Sequence, residues 1–128
     1  MTTGLADTTV FVASESGREA RFDRLPDRIA VSVITIGELR AGVLVATDTA
    51  QRDRRLATLT AALALDPMPI DQAVAETWAR LRVSLRDFGL RMPVNDSWIA
   101  ATAMTLGIPV VTQDDDYLHA PGLEVIHI

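Results

Sequence analysis

The chain contains no cysteine and no lysine. Without cysteine there is no disulfide, no thiol nucleophile and no thiolate zinc site, and a reducing cytosol is a compatible setting. Without lysine there is no Walker-type phosphate lysine, no Schiff base and no ammonium group for a phosphoacceptor-type or dehalogenase-type site. All twelve cationic side chains are arginines. Histidine is nearly absent as well: His119 and His127 stand near the C-terminus with no serine elbow and no H-x-x-x-H spacing, so a histidine triad has little to stand on. Aromatic residues make up only 5% of the chain, and its two tryptophans, Trp78 and Trp98, read as core rather than as base-stacking platforms. No apolar run approaches the length of a membrane span, and Met1 to Asp7 lacks a basic leader. The chain therefore reads as soluble, unprocessed and cytoplasmic.

What is present is a core and an excess of acid. With 128 residues, 48% of them hydrophobic, and a mean hydropathy of +0.20, the chain can fold as one domain over residues 1–128 without staples. The net charge is −5 and the isoelectric point is near 4.8. That sign is wrong for an ordinary nucleic-acid binder. The objection weakens if several acids hold divalent ions, because each ion brings two positive charges to where a phosphate would sit.

Hydrophobic periodicity divides the chain into alternating strands and helices. A first strand ends at Asp7, where a short helix begins. Residues 18–25 read as a small surface helix, and residues 29–33 as a buried strand. Residues 34–46 form a helix that is apolar nearly all round, hence interior, with Ile34, Glu38, Ala41 and Val45 on one face. An acid in that stripe needs a partner, since leaving it unpaired costs roughly 2 to 7 kcal/mol. Thr47-Asp48-Thr49 is a cap signal for the next helix, with Arg52, Arg54 and Arg55 toward water and Leu56, Leu59, Leu63 and Leu65 inward. Residues 66–70 are extended, with two prolines that suit an edge strand. Asp71 caps a long helix through Phe88, stopped by Gly89. The helix holding Asp96 has a face of small residues, and a buried strand at 109–112 and a last strand at 123–128 follow. This order predicts a three-layer α/β/α domain around a mostly parallel sheet of four to five strands.

In such a sheet, ligands bind beyond the carboxyl ends of the strands. Asp7, Asp114 and Glu38, the last one turn into the helix after the second strand, fall at that rim, and Asp96, in the first turn of its helix, reaches it if that helix packs by its small face. Carboxylates crowded together repel and their pKa values rise unless a cation neutralises them. Hard oxygen ligands of this kind suit Mg2+ or Mn2+. Taken singly, Asp7 and Asp96 are helix caps, residues 114–116 a solvated turn, and Glu38 half of a salt bridge to Arg40 or Arg91. Taken jointly they favour a metal site, and with no lysine or histidine at that rim the ions are the source of catalysis. A metal-dependent phosphatase and a non-catalytic binding module on the same frame stand as alternatives. Arg80, Arg82, Arg86 and Arg91 are a solvated helix face or a guide for the phosphates of a ligand.

Asp7-Thr8-Thr9, Ile36-Gly37-Glu38-Leu39, Asn95-Asp96-Ser97-Trp98-Ile99-Ala100-Ala101-Thr102-Ala103 and Thr112-Gln113-Asp114-Asp115-Asp116-Tyr117, in this order and spacing, resemble the PIN-domain ribonucleases. Within them the chain looks most like the VapC-type toxins of bacterial toxin–antitoxin pairs, from about residue 5 to residue 128. The resemblance implies a Mg2+- or Mn2+-dependent endoribonuclease with Asp7, Glu38, Asp96 and Asp114 as its acidic quartet. By the same carry-over Asp7, Asp96, Asp114 and Asp116 bind metal, Thr8, Asn95 and Thr112 are auxiliary, and Asp115 has no assigned role. The family usually has Phe where Tyr117 stands. It is also commonly dimeric, acts on structured RNA such as tRNA or rRNA, and is held inactive by a VapB-type antitoxin.

Overall fold

The computed structural model describes residues 1–117 and 119–128. Four strands, β1 (Thr3–Ala6), β2 (Arg28–Ala30), β3 (Val110–Thr112) and β4 (Val125–His127), form one parallel sheet in the order β2-β1-β3-β4. Among the described residues five α-helices surround it: α1 (Thr8–Ser16), α2 (Val33–Leu44), α3 (Thr49–Leu63), α4 (Gln72–Asp87) and α5 (Val94–Leu106). Strands this short gain stability from having both faces covered, so neighbouring residues on one strand serve opposite layers. Leu5 and Val110 enter a core with Val74, Leu81, Leu85, Ile99 and Tyr117, whereas Ala6 and Val111 pack with Val10 and Ile128 on the other side. A third cluster, Leu39, Val43, Leu59 and Ala62, welds α2 to α3. The three-layer expectation is met, with four strands.

Local chemistry sets the helix boundaries. Asp7, Ser32, Asp48 and Asp71 each accept a hydrogen bond from a first-turn amide, satisfying donors that an α-helix start leaves free. α5 differs: it begins at Pro93 with no side-chain cap. Its end is conventional, with Gly107 at φ 68° in the left-handed conformation that releases the chain into β3.

Pairing of β1 with β2 on one side and β3 on the other places the reversal of strand order at β1 and β3. Leu5 aligns with Val110 and Ala6 with Val111, and the Asp7 amide continues the ladder to the Val111 carbonyl at 3.0 Å. Asp7 and Thr112 therefore emerge side by side at the carboxyl rim, where open parallel sheets bind ligands.

Close approach of the layers makes Gly4 a tight position. A Cβ there would lie 2.7 Å from Val111 Cγ2 and 2.8 Å from Pro26 Cγ. Gly4→Ala is expected to cost about 1–3 kcal/mol by overpacking, read as a lower denaturation midpoint with an unchanged m-value.

Several expectations need correction. Residues 18–25 form no α-helix, only a 3-10 turn at Phe22–Arg24, because the segment has no stripe of core-facing residues. The strand at 29–33 stops at Ala30, since Ser32 turns to cap α2. Residues 66–70 contribute a single parallel bridge from Met68 to Ser32 rather than a strand. α2 is not interior all round: it buries Thr35, Leu39 and Val43, while Leu44 and Val45 are 73% and 70% exposed. Of the four leucines expected to face inward only Leu59 is buried, and Leu65 lies beyond the end of α3. Arg52 and Arg55 are not merely solvated, for they donate to the Ala46 and Gly42 carbonyls at 3.2 and 2.7 Å and so serve the free acceptors at the end of α2.

Candidate metal centre

Asp7 is the fixed point of the rim. It is 2% exposed, and its carboxylate is held by three donors. Oδ1 accepts from the Thr9 amide at 3.0 Å and the Thr9 hydroxyl at 2.5 Å, and Oδ2 accepts from the Thr112 hydroxyl at 2.6 Å. A carboxylate has about four acceptor sites, so Asp7 has about one left to offer an ion. Burial pushes its pKa above the usual carboxylate value, against the pull of the Thr112 and Thr9 hydroxyls.

The same hydroxyls reach the acidic loop. With its proton committed to Asp7, Thr112 Oγ1 accepts from the Asp114 amide at 2.8 Å, and Thr9 Oγ1 accepts from the Gln113 amide at 3.0 Å. Asp114 Oδ1 then accepts from the Asp116 amide at 3.0 Å, which folds the loop on itself. Asp114 and Asp116 turn toward Asp96, and one carboxylate oxygen from each of the three lies within 4.8 Å of the others. Asp115 points away, 85% exposed, with Oδ1 3.4 Å from His127 Nε2.

Asp96 arrives from the first turn of α5, whose small residues let it approach the sheet: Ala100, Ala101 and Ala103 are fully buried. Its pKa is pushed up to about 7. Burial is the largest cause, opposed by the Tyr117 hydroxyl, with the Asp114 and Asp7 carboxylates adding repulsion. Tyr117 is fully buried and its hydroxyl faces Asp96 without closing a hydrogen bond to any described residue. Burial, then the charges of Asp7 and Asp96, raise the phenol further above its ordinary value. Tyr117→Phe removes a buried hydroxyl that closes no hydrogen bond but favours the Asp96 anion, so well below pH 7, where Asp96 is protonated, the metal-free protein is expected to keep its stability or gain up to about 1 kcal/mol, measured by urea titration.

Glu38 lies half-buried on α2 outside the close set of three. Its partner is the Thr8 hydroxyl, which donates to Oε1 at 2.7 Å and stands 3.1 Å from Thr35 Oγ1; neither Arg40 nor Arg91 pairs with it among the described residues. Asn95 is exposed on the first turn of α5. The structure thus brings Asp96, Asp114 and Asp116 together, sets Asp7 beside them through Thr112, and keeps Glu38 on the α2 side with Thr8. Sequence reasoning missed Thr9, whose position two residues after a capping Asp is the signal that could have found it. It also noted Tyr117 only as a departure, where the fold makes it the floor beside Asp96.

The donors are all hard oxygens, and burial raises the pKa of Asp7 and of Asp96, with neighbouring carboxylates adding repulsion at Asp96 that a cation would relieve. Oxygens around one octahedral Mg2+ stand about 3 to 4 Å apart, close to the spacing of the three carboxylates. The residues present fit a divalent cation.

A parallel α/β domain with carboxylates gathered beyond β1 and β3 defines a class: a three-layer fold built around an acidic pocket that could hold a cation. The PIN domain family model matches residues 5–123, and the chain belongs to that family, in its VapC branch. It is 46% identical over 125 residues to ribonuclease VapC5 of Mycobacterium tuberculosis, covering 98% of this chain and 93% of that protein. It is 51% identical over 129 residues to ribonuclease VapC4 of the same organism, covering 97% and 95%. The crystal structure of VapBC-5, a member of the VapBC family of toxin–antitoxin systems from M. tuberculosis, superposes with a TM-score of 0.90 at 41% identity over the whole of both chains.

Proposed function

We propose that this chain is the ribonuclease toxin of a toxin–antitoxin pair and cuts cellular RNA with the help of Mg2+ or Mn2+. The observation that carries the reading is the meeting of Asp96, Asp114 and Asp116 within 4.8 Å, in a chain that aligns nearly end to end with proteins named ribonuclease VapC. When bound, a divalent ion neutralises phosphate charge and acidifies water, the two needs of phosphodiester hydrolysis. Asp96, Asp114 and Asp116 hold it, with Asp7 offering its one remaining acceptor site. Thr112 and Thr9 hold Asp7 in place, so the pocket is set before substrate arrives. Glu38, oriented by Thr8, stands across the rim as an acceptor for a proton from the attacking water. The cognate partner is a VapB-type antitoxin, the working form is a homodimer, and the setting is the cytoplasm, where tRNA and rRNA are found. Among the described residues no helix is long and apolar enough to cross a membrane.

The test is incubation of the purified protein with total cellular RNA and Mg2+ or Mn2+, beside an EDTA control and a p-nitrophenyl phosphate assay. Discrete RNA fragments that EDTA prevents are expected, with no phosphate release. Phosphate release without RNA cleavage would move the chain to the phosphatase alternative. Inertness in both assays at every metal concentration would leave a binding module.

A further inference from the structure

α4 and the segment joining it to α5 enclose a groove of about 610 Å³ that none of the carboxylates of the metal centre lines. Three arginines, Arg82, Arg86 and Arg91, line it together with Leu90, Pro93 and Val94. In a chain of net charge −5, guanidinium groups have many carboxylates to choose from. Yet among the described residues only Arg21 and Arg86 of the twelve arginines form ion pairs, so what sets Arg82, Arg86 and Arg91 apart is that they line one concavity. Of these three, Arg82 and Arg91 form no ion pair with any described residue, and Arg86 reaches only its neighbour Asp87, at 3.4 Å with both side chains largely exposed. Such a contact is worth little and is readily exchanged. Three uncommitted cations converge on one concavity.

The groove wall is rigid. Trp78 of α4 stacks on Trp98 of α5 with centroids 4.2 Å apart and planes 3° from parallel, and the Arg82 guanidinium carbon lies 5.7 Å from the Trp78 ring centre. Trp78 Nε1 donates to Ser97 Oγ at 2.9 Å, and Ser97 Oγ donates to the Val94 carbonyl. Arg82 is thereby held in register with the first turn of α5, the turn that carries Asp96. Val94 and Asp96 are about 3 Å apart along the helix axis and on opposite sides of it. Groove and acid cluster consequently flank the same helix end, and that end has no side-chain cap, leaving its first amides free for an anion between the two.

We propose that this arginine groove is the docking track for a single-stranded segment of the RNA substrate, laying its phosphates on Arg82, Arg86 and Arg91 and leading the backbone over the start of α5 to the metal centre. The proposal rests on the ribonuclease reading above. Arginine suits the task because its planar donor fork grips phosphate oxygens in pairs. The track also answers the objection of net charge: the footprint is local, so an acidic chain can still hold a polyanion.

The test compares wild type with Arg82→Gln/Arg86→Gln/Arg91→Gln and with a charge-matched control, Arg18→Gln/Arg28→Gln/Arg54→Gln, whose arginines are exposed elsewhere. Binding of labelled total tRNA is measured in EDTA from 50 to 200 mM salt, and cleavage of total RNA with Mn2+ is followed in parallel. The groove variant is expected to bind at least about tenfold more weakly at low salt, with a slope of log affinity against log salt shallower by about 2, while the control matches wild type. Mn2+ affinity and melting temperature should be unchanged in all three. Wild-type protein that neither binds nor cleaves RNA would sink the ribonuclease reading itself. A wild type that cleaves, beside a groove variant with equal affinity and salt slope, would overturn the groove alone. Intact RNA binding with lost retention of a polyglutamate peptide would likewise overturn it, assigning the groove to an acidic protein segment.

Discussion

Asp96→Asn is expected to lower RNA cleavage by about a hundred- to a thousandfold, the scale on which a central electrostatic group contributes, and at the same time to raise the melting temperature of the metal-free protein at pH 8. The two effects have one cause. Asp96 is half-buried, its pKa lies near 7 in the metal-free fold against 3.8 for a free carboxyl, and Asp7 nearby is raised as well. A group whose folded pKa exceeds its unfolded value takes up protons on folding. Stability therefore falls as pH rises from about 4 through about 7. Above that range the buried anion is a net burden, and Asn removes the charge while keeping the shape. Thermal melts in EDTA should show wild type and variant converging near pH 4 and separating by a few degrees at pH 8. Adding Mn2+ reverses the order, because an ion that binds only the folded state stabilises by mass action and the variant has lost a ligand. Equal melting temperatures at every pH, with and without Mn2+, would mean that Asp96 is neither strained nor a metal ligand. Asp7→Asn should lose cleavage to a similar degree, yet with a smaller gain in stability, because its carboxylate already receives three hydrogen bonds.

Much of this arrangement is legible in the residue order. Strand-ending Asp7 and the acidic loop after β3 share one rim by topology alone, since parallel strands all point their carboxyl ends the same way. Asp96 joins them because α5 packs its small-residue face on the sheet, whereas Glu38, expected at the same rim, stays outside the close set of acids and pairs with Thr8. The caps were equally plain: Asp48 and Asp71 sit where an exposed helix start needs an acceptor. What could not be read was orientation in places where the pattern is degenerate. α2 is apolar all round, so its sequence does not say which face meets the core, and Leu44 and Val45 proved to be outside. Leu56 and Leu63 follow helical spacing, but the contact with α2 is narrow and closes on Leu59 and Ala62. The three consecutive aspartates pose the same problem on a smaller scale. Only the tight turn after Thr112 decides that Asp114 and Asp116 face Asp96 while Asp115 faces His127. The arginines of α4 read equally well as a solvated face or a phosphate guide, because their convergence depends on the α4–α5 connection, which no periodicity encodes.

The second large effect is expected at Thr112, which touches no substrate in this arrangement. Its hydroxyl is fully buried, donates to Asp7 at 2.6 Å and accepts from the Asp114 amide at 2.8 Å. It is thus the atom that ties the Asp7 carboxylate to the Asp114 amide, beside the parallel link that Thr9 makes from Asp7 to the Gln113 amide. Thr112→Val preserves volume and removes both bonds, leaving a buried carboxylate oxygen and a loop amide without partners. Such unpaired groups cost about 1–3 kcal/mol, and loss of a partner behind a metal ligand typically costs about 10–100-fold in metal affinity or activity. Mn2+ titration calorimetry and RNA cleavage should both fall in that range for Thr112→Val, while the apparent KM for RNA stays near the wild-type value because the docking surface is untouched. Thr112→Ser keeps the hydroxyl and should restore most of both. A Thr112→Val protein with wild-type Mn2+ affinity would mean that the hydroxyl merely fills space, and that Asp114 finds its position by loop packing alone.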